Sequence, residues 1–438
     1  MISPRLKRTF GEILELVDDR RFERVFILLA LFLASGAVFP LWRQETGFER
    51  DEFRGDPLVQ LIWIGMYVIL ILLVAVRWRE VLATALRGKL ILLLVGLVCA
   101  SILWSFAPEV TFRRSVALTM TTLFGAYLAT RYSIREQLTM FAGVLGFAGV
   151  LSLLFVLAFP QYGLGTGPNE GAWEGIFLQK NVLGRYMAFG AMAFFILAAG
   201  RYVNPAAGWA GFVLCGLLVL LSDSTTALLS LLVFAALFAI YVNFRRVVSP
   251  SRLIFVLCGL AGTAFAVLLI NLSPVLGFFG KSVTLTGRTG LWNVVTTQIG
   301  YRPALGYGYG GFWLGEEGPS GRVWRALNWE PTHAHNGFLE IMLGVGVVGL
   351  LVFLTGFLFY LLRALVWAHA AGELLSLWPV AFFVSLVLYS STQSVLMEQN
   401  NILWIFYVAT ALSIPVSLRS PGQPVTLPRW ARRSRRVR

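Results

Sequence analysis

Apolar windows close to bilayer length recur along almost the whole of this 438-residue chain. A helix needs about 20 such residues to cross a hydrocarbon core of roughly 30 Å. In that medium every backbone N–H and C=O must find its partner within the protein, so the windows are expected to fold as helices. They lie near residues 25–40, 58–76, 89–106, 115–129, 139–160, 182–200, 208–222, 226–242, 253–271, 336–362, 376–392 and 399–417. The expectation is an all-α, polytopic integral membrane protein of about 12 transmembrane helices; the first window is short, and only Ser222 to Thr225 separate the seventh from the eighth. With 57% hydrophobic residues, 13% charged residues and a mean hydropathy of +0.74, the chain has too little polar surface for a soluble globule.

Lys and Arg in short loops are retained on the cytoplasmic side, and they sort cleanly here. Arg20, Arg21 and Arg24 precede the first window, and Arg77, Arg79, Arg131, Arg135, Arg201, Arg245, Arg246 and Arg363 fall in alternate loops. Both termini are therefore expected in the cytoplasm, with loops 41–57, 107–114, 161–181, 272–334 and 393–398 facing outward. The chain divides into an amphipathic cytoplasmic segment (1–24), a bundle (25–418) with a large, partly helical outward loop (272–334), and a basic tail (419–438). No cleavable signal peptide is read at the start, because the first residues lack a continuous apolar region. The sorting and the lipid bilayer account for most of the +14 net charge, and nucleic acid is not an expected partner. The three cysteines, Cys99, Cys215 and Cys258, lie in spans, so no disulfide framework is expected.

The polar exceptions carry the chemistry. His335, Asn336 and Glu340 open an apolar helix after a long outward loop, and polar groups at a membrane span are costly enough to suggest a task. An imidazole with an ordinary pKa of about 6.5 can take a proton from a sugar hydroxyl, which makes His335 the candidate base. A packed histidine capping the helix is the plain alternative. His333, off the helix, is the less constrained second candidate, and the i, i+2 spacing of the two does not suit a zinc site. Arg288, in the first turn of a short helix, would hold an anion. Arg302, Trp292 and Trp313 in the same loop suit a sugar on a phosphate carrier, although an aromatic belt at the headgroups also accounts for single rings. Lys180, Asn181 and Arg185 form a second polar cluster, with Asn181 and Arg185 on one helical face; snorkelling to lipid phosphate is the alternative for the two cations. No metal and no cofactor are expected.

Four blocks in order carry a resemblance. H-N-G-F-L-E-I-M-L-G-V-G-V-V-G (335–349) is similar to the H-N-x-x-L…G-x-x-G pattern of the O-antigen ligase and O-antigen or exopolysaccharide polymerase superfamily. The segments G-R-T-G-L-W (287–292) and R-P-A-L-G-Y-G-Y-G-G-F-W (302–313) resemble that family's stretch before the histidine. W-E-G-I-F-L-Q-K-N-V-L-G-R (173–185) and W-S-F-A-P-E-V-T-F-R-R-S (104–115) resemble its ExoQ-like exopolysaccharide polymerase branch. The resemblance implies a GT-C-like enzyme of the bacterial inner membrane. Its reaction would be a metal-independent, inverting transfer at the periplasmic face, from an undecaprenyl-diphosphate-linked oligosaccharide to the next lipid-linked repeat unit. It implies His335 as base, Arg288 on the diphosphate, Asn336 as orienting group, and Lys180, Arg185, Arg113 and Arg114 as further clamp residues. A chain-length regulator is a partner suggested by the pathway rather than by any residue. Two departures stand out: Thr225 replaces a basic residue common in relatives, and Gln179 replaces a histidine before K-N. The alternatives are a ligase that moves the finished glycan to lipid A core or another acceptor, and a transporter or flippase of lipid-linked sugars.

Overall fold

In the computed structural model, residues 19–37, 39, 56–244, 288–327 and 329–415 are described. The window at 253–271, Cys258, most of the 1–24 segment and the 419–438 tail lie outside the described residues. Within them the chain is helical, with one isolated bridge between Leu164 and Trp173. The main helices are α1 (Arg20–Ala34), α2 (Pro57–Val76), α3 (Trp78–Ala85), α4 (Lys89–Ala100), α5 (Pro108–Arg131), α6 (Ile134–Ala158), α7 (Lys180–Ala199), α8 (Pro205–Leu221), α9 (Thr225–Phe244), α10 (Arg288–Tyr301), α11 (Gly321–Leu327), α12 (Gly337–Ala371), α13 (Leu377–Ser390) and α14 (Ile402–Ser413).

Each of the other eleven windows holds a helix. Among the described residues, five helices are long and apolar enough to cross a bilayer, or six if α3 and α4, bent by 94°, count as one broken span. Helices α8, α13 and α14 are apolar but shorter, and α1 has 15 residues. The 115–129 window began too late, because α5 starts at Pro108 and carries Arg113 and Arg114 in its opening turns.

The burial pattern is that of a protein in an apolar solvent. Helix α2 is apolar all round, yet buries only Trp63, Leu70 and Leu73, one narrow seam, and leaves Leu61, Ile64 and Val68 more than half exposed. Helices α7, α13 and α14 form the interior, where Phe189, Phe382, Trp404 and Tyr407 are almost fully enclosed. Close approach relies on small residues, since a Cβ at Gly125 of α5 would stand 2.7 Å from the Ile405 carbonyl oxygen of α14.

Loops of opposite expected sidedness collect at opposite ends of the bundle. At one end Glu23 of α1, fully buried, accepts hydrogen bonds from Tyr127 (2.8 Å), Tyr132 (2.9 Å) and Arg131 Nε (3.0 Å). At the other end the segments 105–114, 174–185, 288–345 and 391–401 converge.

Helix α12 is broken where the sequence reads as an unbroken span. Val345 and Gly346 leave helical geometry, with Gly346 at φ +68°. The backbone groups released there are taken by the 302–307 segment: Tyr307 N–H donates to the Leu343 carbonyl (2.7 Å), and Val347 N–H donates to Pro303 (2.8 Å). A Cβ on Gly346 would collide with the Ala304 carbonyl, so glycine is required by both the φ and the close approach. The motif R-P-A-L-G-Y thus plugs the break opened by G-V-G, and both motifs frame the same site.

Candidate active site

The site is built on the entry to α12. Asn336 is its N-cap: Oδ1 accepts from the N–H groups of Phe338 (3.0 Å) and Leu339 (3.2 Å), and Nδ2 donates to the Ser391 carbonyl (3.4 Å). His335, immediately before it, has φ +50°, a left-handed conformation that an L-residue adopts only where its surroundings hold it. Those surroundings are specific. Ala334 is pinned on both sides, its carbonyl accepting from Trp292 Nε1 (2.9 Å) and its N–H donating to Glu340. Glu340, one turn into α12, also accepts from Trp313 Nε1 (3.0 and 3.1 Å) and from Ser394 (3.5 Å).

The turn brings the two imidazoles together, with ring centroids 4.0 Å apart, and His333 Nδ1 meets Thr332 Oγ1 at 3.1 Å. Among the described residues no hydrogen bond reaches either ring nitrogen of His335. Both rings line a cavity of about 370 Å³ together with Arg114, Asn181, Arg185 and Arg288. Burial, then Arg288 and Arg185, pushes the His333 pKa down to about 4; burial, then His333 and Arg288, pushes that of His335 down to about 3. Both imidazoles are therefore neutral near pH 7. Burial also lowers the pKa of Arg288.

Cations face the imidazoles from several elements. Arg185 is only 7% exposed; Nη1 donates to Gln393 (2.7 Å), the guanidinium lies 4.9 Å from the Tyr186 ring centroid, and Nε has no partner. That nitrogen is itself enclosed, and it is the guanidinium as a whole that borders the cavity as a positive charge for an anion. Arg114 donates to the Gly310 carbonyl (3.0 Å). It also borders a second cavity of about 800 Å³, whose walls are mainly apolar (Leu33, Val59, Trp63 and Ile64). The two cavities share Arg114, Val182, Arg185, Glu398 and Gln399, so an apolar groove runs up to the charged centre.

Of the residues singled out in the sequence, His335, Arg288, Asn181, Arg185, Arg114 and Trp313 line the central cavity, and Arg113 lines the groove. Asn336 acts from the helix cap. Lys180 pairs with Asp223 at 3.3 Å outside the cavity lining, while its neighbour Asn181 accepts from Ser224 (3.2 Å). Trp292 faces the histidine turn rather than the cavity. Arg302 is elsewhere, in an outward pocket over the Tyr307 ring. Sequence reasoning missed the 391–401 loop, which contributes Gln393, Glu398 and Gln399 to the cavity. Its polar run E-Q-N-N between two apolar windows carried the same signal as H-N at α12. Enclosure raises the Glu398 pKa, opposed by Arg185, and Gln399 accepts from Tyr309 OH at 2.8 Å.

Comparison with known proteins agrees with this frame. A family model described as O-antigen ligase matches residues 210–354, a stretch that includes Arg288, His335 and the break in α12. The exopolysaccharide production protein ExoQ of Rhizobium meliloti (strain 1021) is 28% identical over 307 residues, covering 67% of this chain and 69% of that relative. With the four sequence blocks folded around one polar cavity at the end of a helical membrane bundle, the chain is similar to the O-antigen ligase family over residues 210–354 and to ExoQ over two thirds of its length.

Proposed function

We propose that the protein is a glycosyltransferase of exopolysaccharide assembly, a polymerase that moves a glycan from undecaprenyl diphosphate onto the next lipid-linked repeat unit at the periplasmic face of the inner membrane. One observation carries the reading: His335 and the guanidinium groups of Arg114, Arg185 and Arg288 line one cavity that is continuous with an apolar groove. That combination suits a ligand with a sugar, a diphosphate and a hydrocarbon tail.

In this reading the acceptor hydroxyl oxygen attacks the anomeric carbon from the face opposite the diphosphate. The carbon–oxygen bond to the diphosphate breaks, the configuration inverts, and the hydroxyl proton passes to His335. Arg288, Arg185 and Arg114 take the charge that develops on the leaving diphosphate, so the step needs no metal ion. A pKa of about 3 makes His335 a weak base. Burial is the main cause of that depression, followed by His333 and Arg288, and a diphosphate held by Arg288 would offset that last contribution and raise the pKa.

The polymerase role is favoured by the W-E-G-I-F and W-S-F-A-P blocks and by the likeness to an exopolysaccharide production protein, whereas the match to the O-antigen ligase family favours a ligase. A flippase is the weaker reading, because the break in α12 is filled by backbone rather than left open as a midplane site. The test is purified protein in lipid nanodiscs with a polyprenyl-diphosphate-linked repeat unit and a chelator. Formation of lipid-linked dimers and longer products supports the polymerase. Transfer only to a different acceptor makes the protein a ligase, and no transfer to either overturns the reading.

A further inference from the structure

We propose that the outward face carries a second glycan-binding groove, separate from the catalytic cavity, which holds the sugar chain already made. The proposal rests on the transferase reading for the identity of its occupant, a hydroxyl-rich glycan.

The groove has a volume of about 390 Å³ and shares no lining residue with the catalytic cavity. It is bounded by Phe106, the end of α10, the turn at 316–319 and α11. Two of its rings are more than half exposed, Tyr301 at 63% and Phe106 at 51%. Aromatic faces left open inside a charged groove are characteristic of a binding surface. Two guanidinium groups are already oriented against rings, Arg322 at 5.3 Å from the Tyr301 centroid and Arg302 at 5.3 Å from that of Tyr307. Glu316, loosely paired with Arg325 at 3.8 Å, and Glu317 complete the rim.

This chemistry selects its ligand. Ring faces pack on sugar C–H surfaces, and planar guanidinium and carboxylate groups bind paired hydroxyls in bidentate fashion. A lipid phosphate needs the cations but is repelled by the two carboxylates, whereas a glycan uses both. Placement also fits. The segment Tyr307–Trp313 is the wall between the two spaces: Tyr307 borders the groove, and Tyr309 and Trp313 border the catalytic cavity. Phe106 N–H donates to the Tyr307 carbonyl (2.9 Å), which fastens the far side of the groove to that wall. A chain held there stays at high effective concentration for the next addition, so the groove acts on product length and not on the chemical step.

The test compares wild type with Tyr301→Ala/Arg322→Gln in nanodiscs, measuring the initial rate of coupling two repeat units and the length distribution of the product. The expected result is a coupling rate within about twofold of wild type and a mean length at least threefold shorter. Unchanged lengths at a normal coupling rate overturn the groove. If the double variant fails to fold, Phe106→Ser on the opposite side is judged by the same criterion. Shortening that vanishes in purely zwitterionic lipid assigns the groove to a headgroup and overturns the proposal. The reaction itself is tested separately: no transfer by the wild-type protein contradicts the transferase reading, whereas normal lengths from the groove variants remove the groove alone.

Discussion

Replacing Glu340 by glutamine weakens the support of the histidine turn without changing its shape. The carboxylate accepts from Trp313 Nε1 with both oxygens and from the Ala334 N–H. An amide offers one acceptor oxygen; in the place of Oε1 it still accepts from Ala334, but its NH₂ then stands in the place of Oε2, 3.1 Å from the Trp313 Nε1 donor. A stranded buried donor costs about 1–3 kcal/mol. The left-handed His335, at φ +50°, carries strain of about 1–3 kcal/mol, so the lost support is as large as the strain it holds in place. If that energy is taken from the population of the productive turn, kcat falls between about fivefold and about 150-fold. KM changes little, because the diphosphate is bound by arginines. The assay is kcat and KM for lipid-linked repeat units in nanodiscs, with protein amount matched. Combining Glu340→Gln with Trp313→Phe removes the donor that the NH₂ opposes, and gives a loss smaller than the product of the two single effects. A Glu340→Gln variant with wild-type kcat, or losses that simply multiply, would refute the reasoning.

Three further outcomes follow from the geometry. Gly346→Val drives a Cβ into the Ala304 carbonyl at a positive φ, so little folded protein is recovered from membranes; normal yield of monodisperse protein contradicts the plugged break. Both histidines have folded-state pKa values below the 6.5 of the unfolded chain, so stability is whole above about pH 6.5 and lost as pH falls, at up to about 1.4 kcal/mol per pH unit for each, until about pH 4 for His333 and about pH 3 for His335. Thermal unfolding at pH 7.5 and pH 5 checks this, and His333→Ala/His335→Ala should flatten the dependence. Glu23→Ala leaves Arg131 and two tyrosine hydroxyls without their acceptor and costs about 3 kcal/mol, at the low end for a broken buried pair because the Arg131 side chain remains 23% exposed. An unchanged melting temperature contradicts it.

The helices and the mouth of α12 were legible because they depend on local composition: long apolar windows, basic residues in alternate loops, and an amide that can cap. Hydropathy blurred helix starts, since it discounts Arg113 and Arg114 although Pro108 already marks the first turn of α5. The break at Val345–Gly346 was invisible, because G-V-G-V-V-G is as apolar as any span and the broken ladder is satisfied by backbone more than 30 residues away. The same long-range effect misplaced two loop residues. Arg302 and Trp292 were grouped with Arg288 because they share its loop, but the 302–313 segment folds as a wall that turns Arg302 outward, and Trp292 spends its N–H on Ala334. Glu398 escaped notice because a carboxylate in a short loop reads as solvated until the fold encloses it.

The central claim is that His335 performs glycan transfer. The most direct measurement is the profile of lipid-linked glycans and surface polymer in a deletion strain complemented with wild type or His335→Ala at equal membrane abundance. Loss of polymer, with single repeat units accumulating on the lipid in the variant, is the predicted result. Long glycans left on the lipid beside a bare final acceptor identify a ligase, and normal polymer made by His335→Ala contradicts the account.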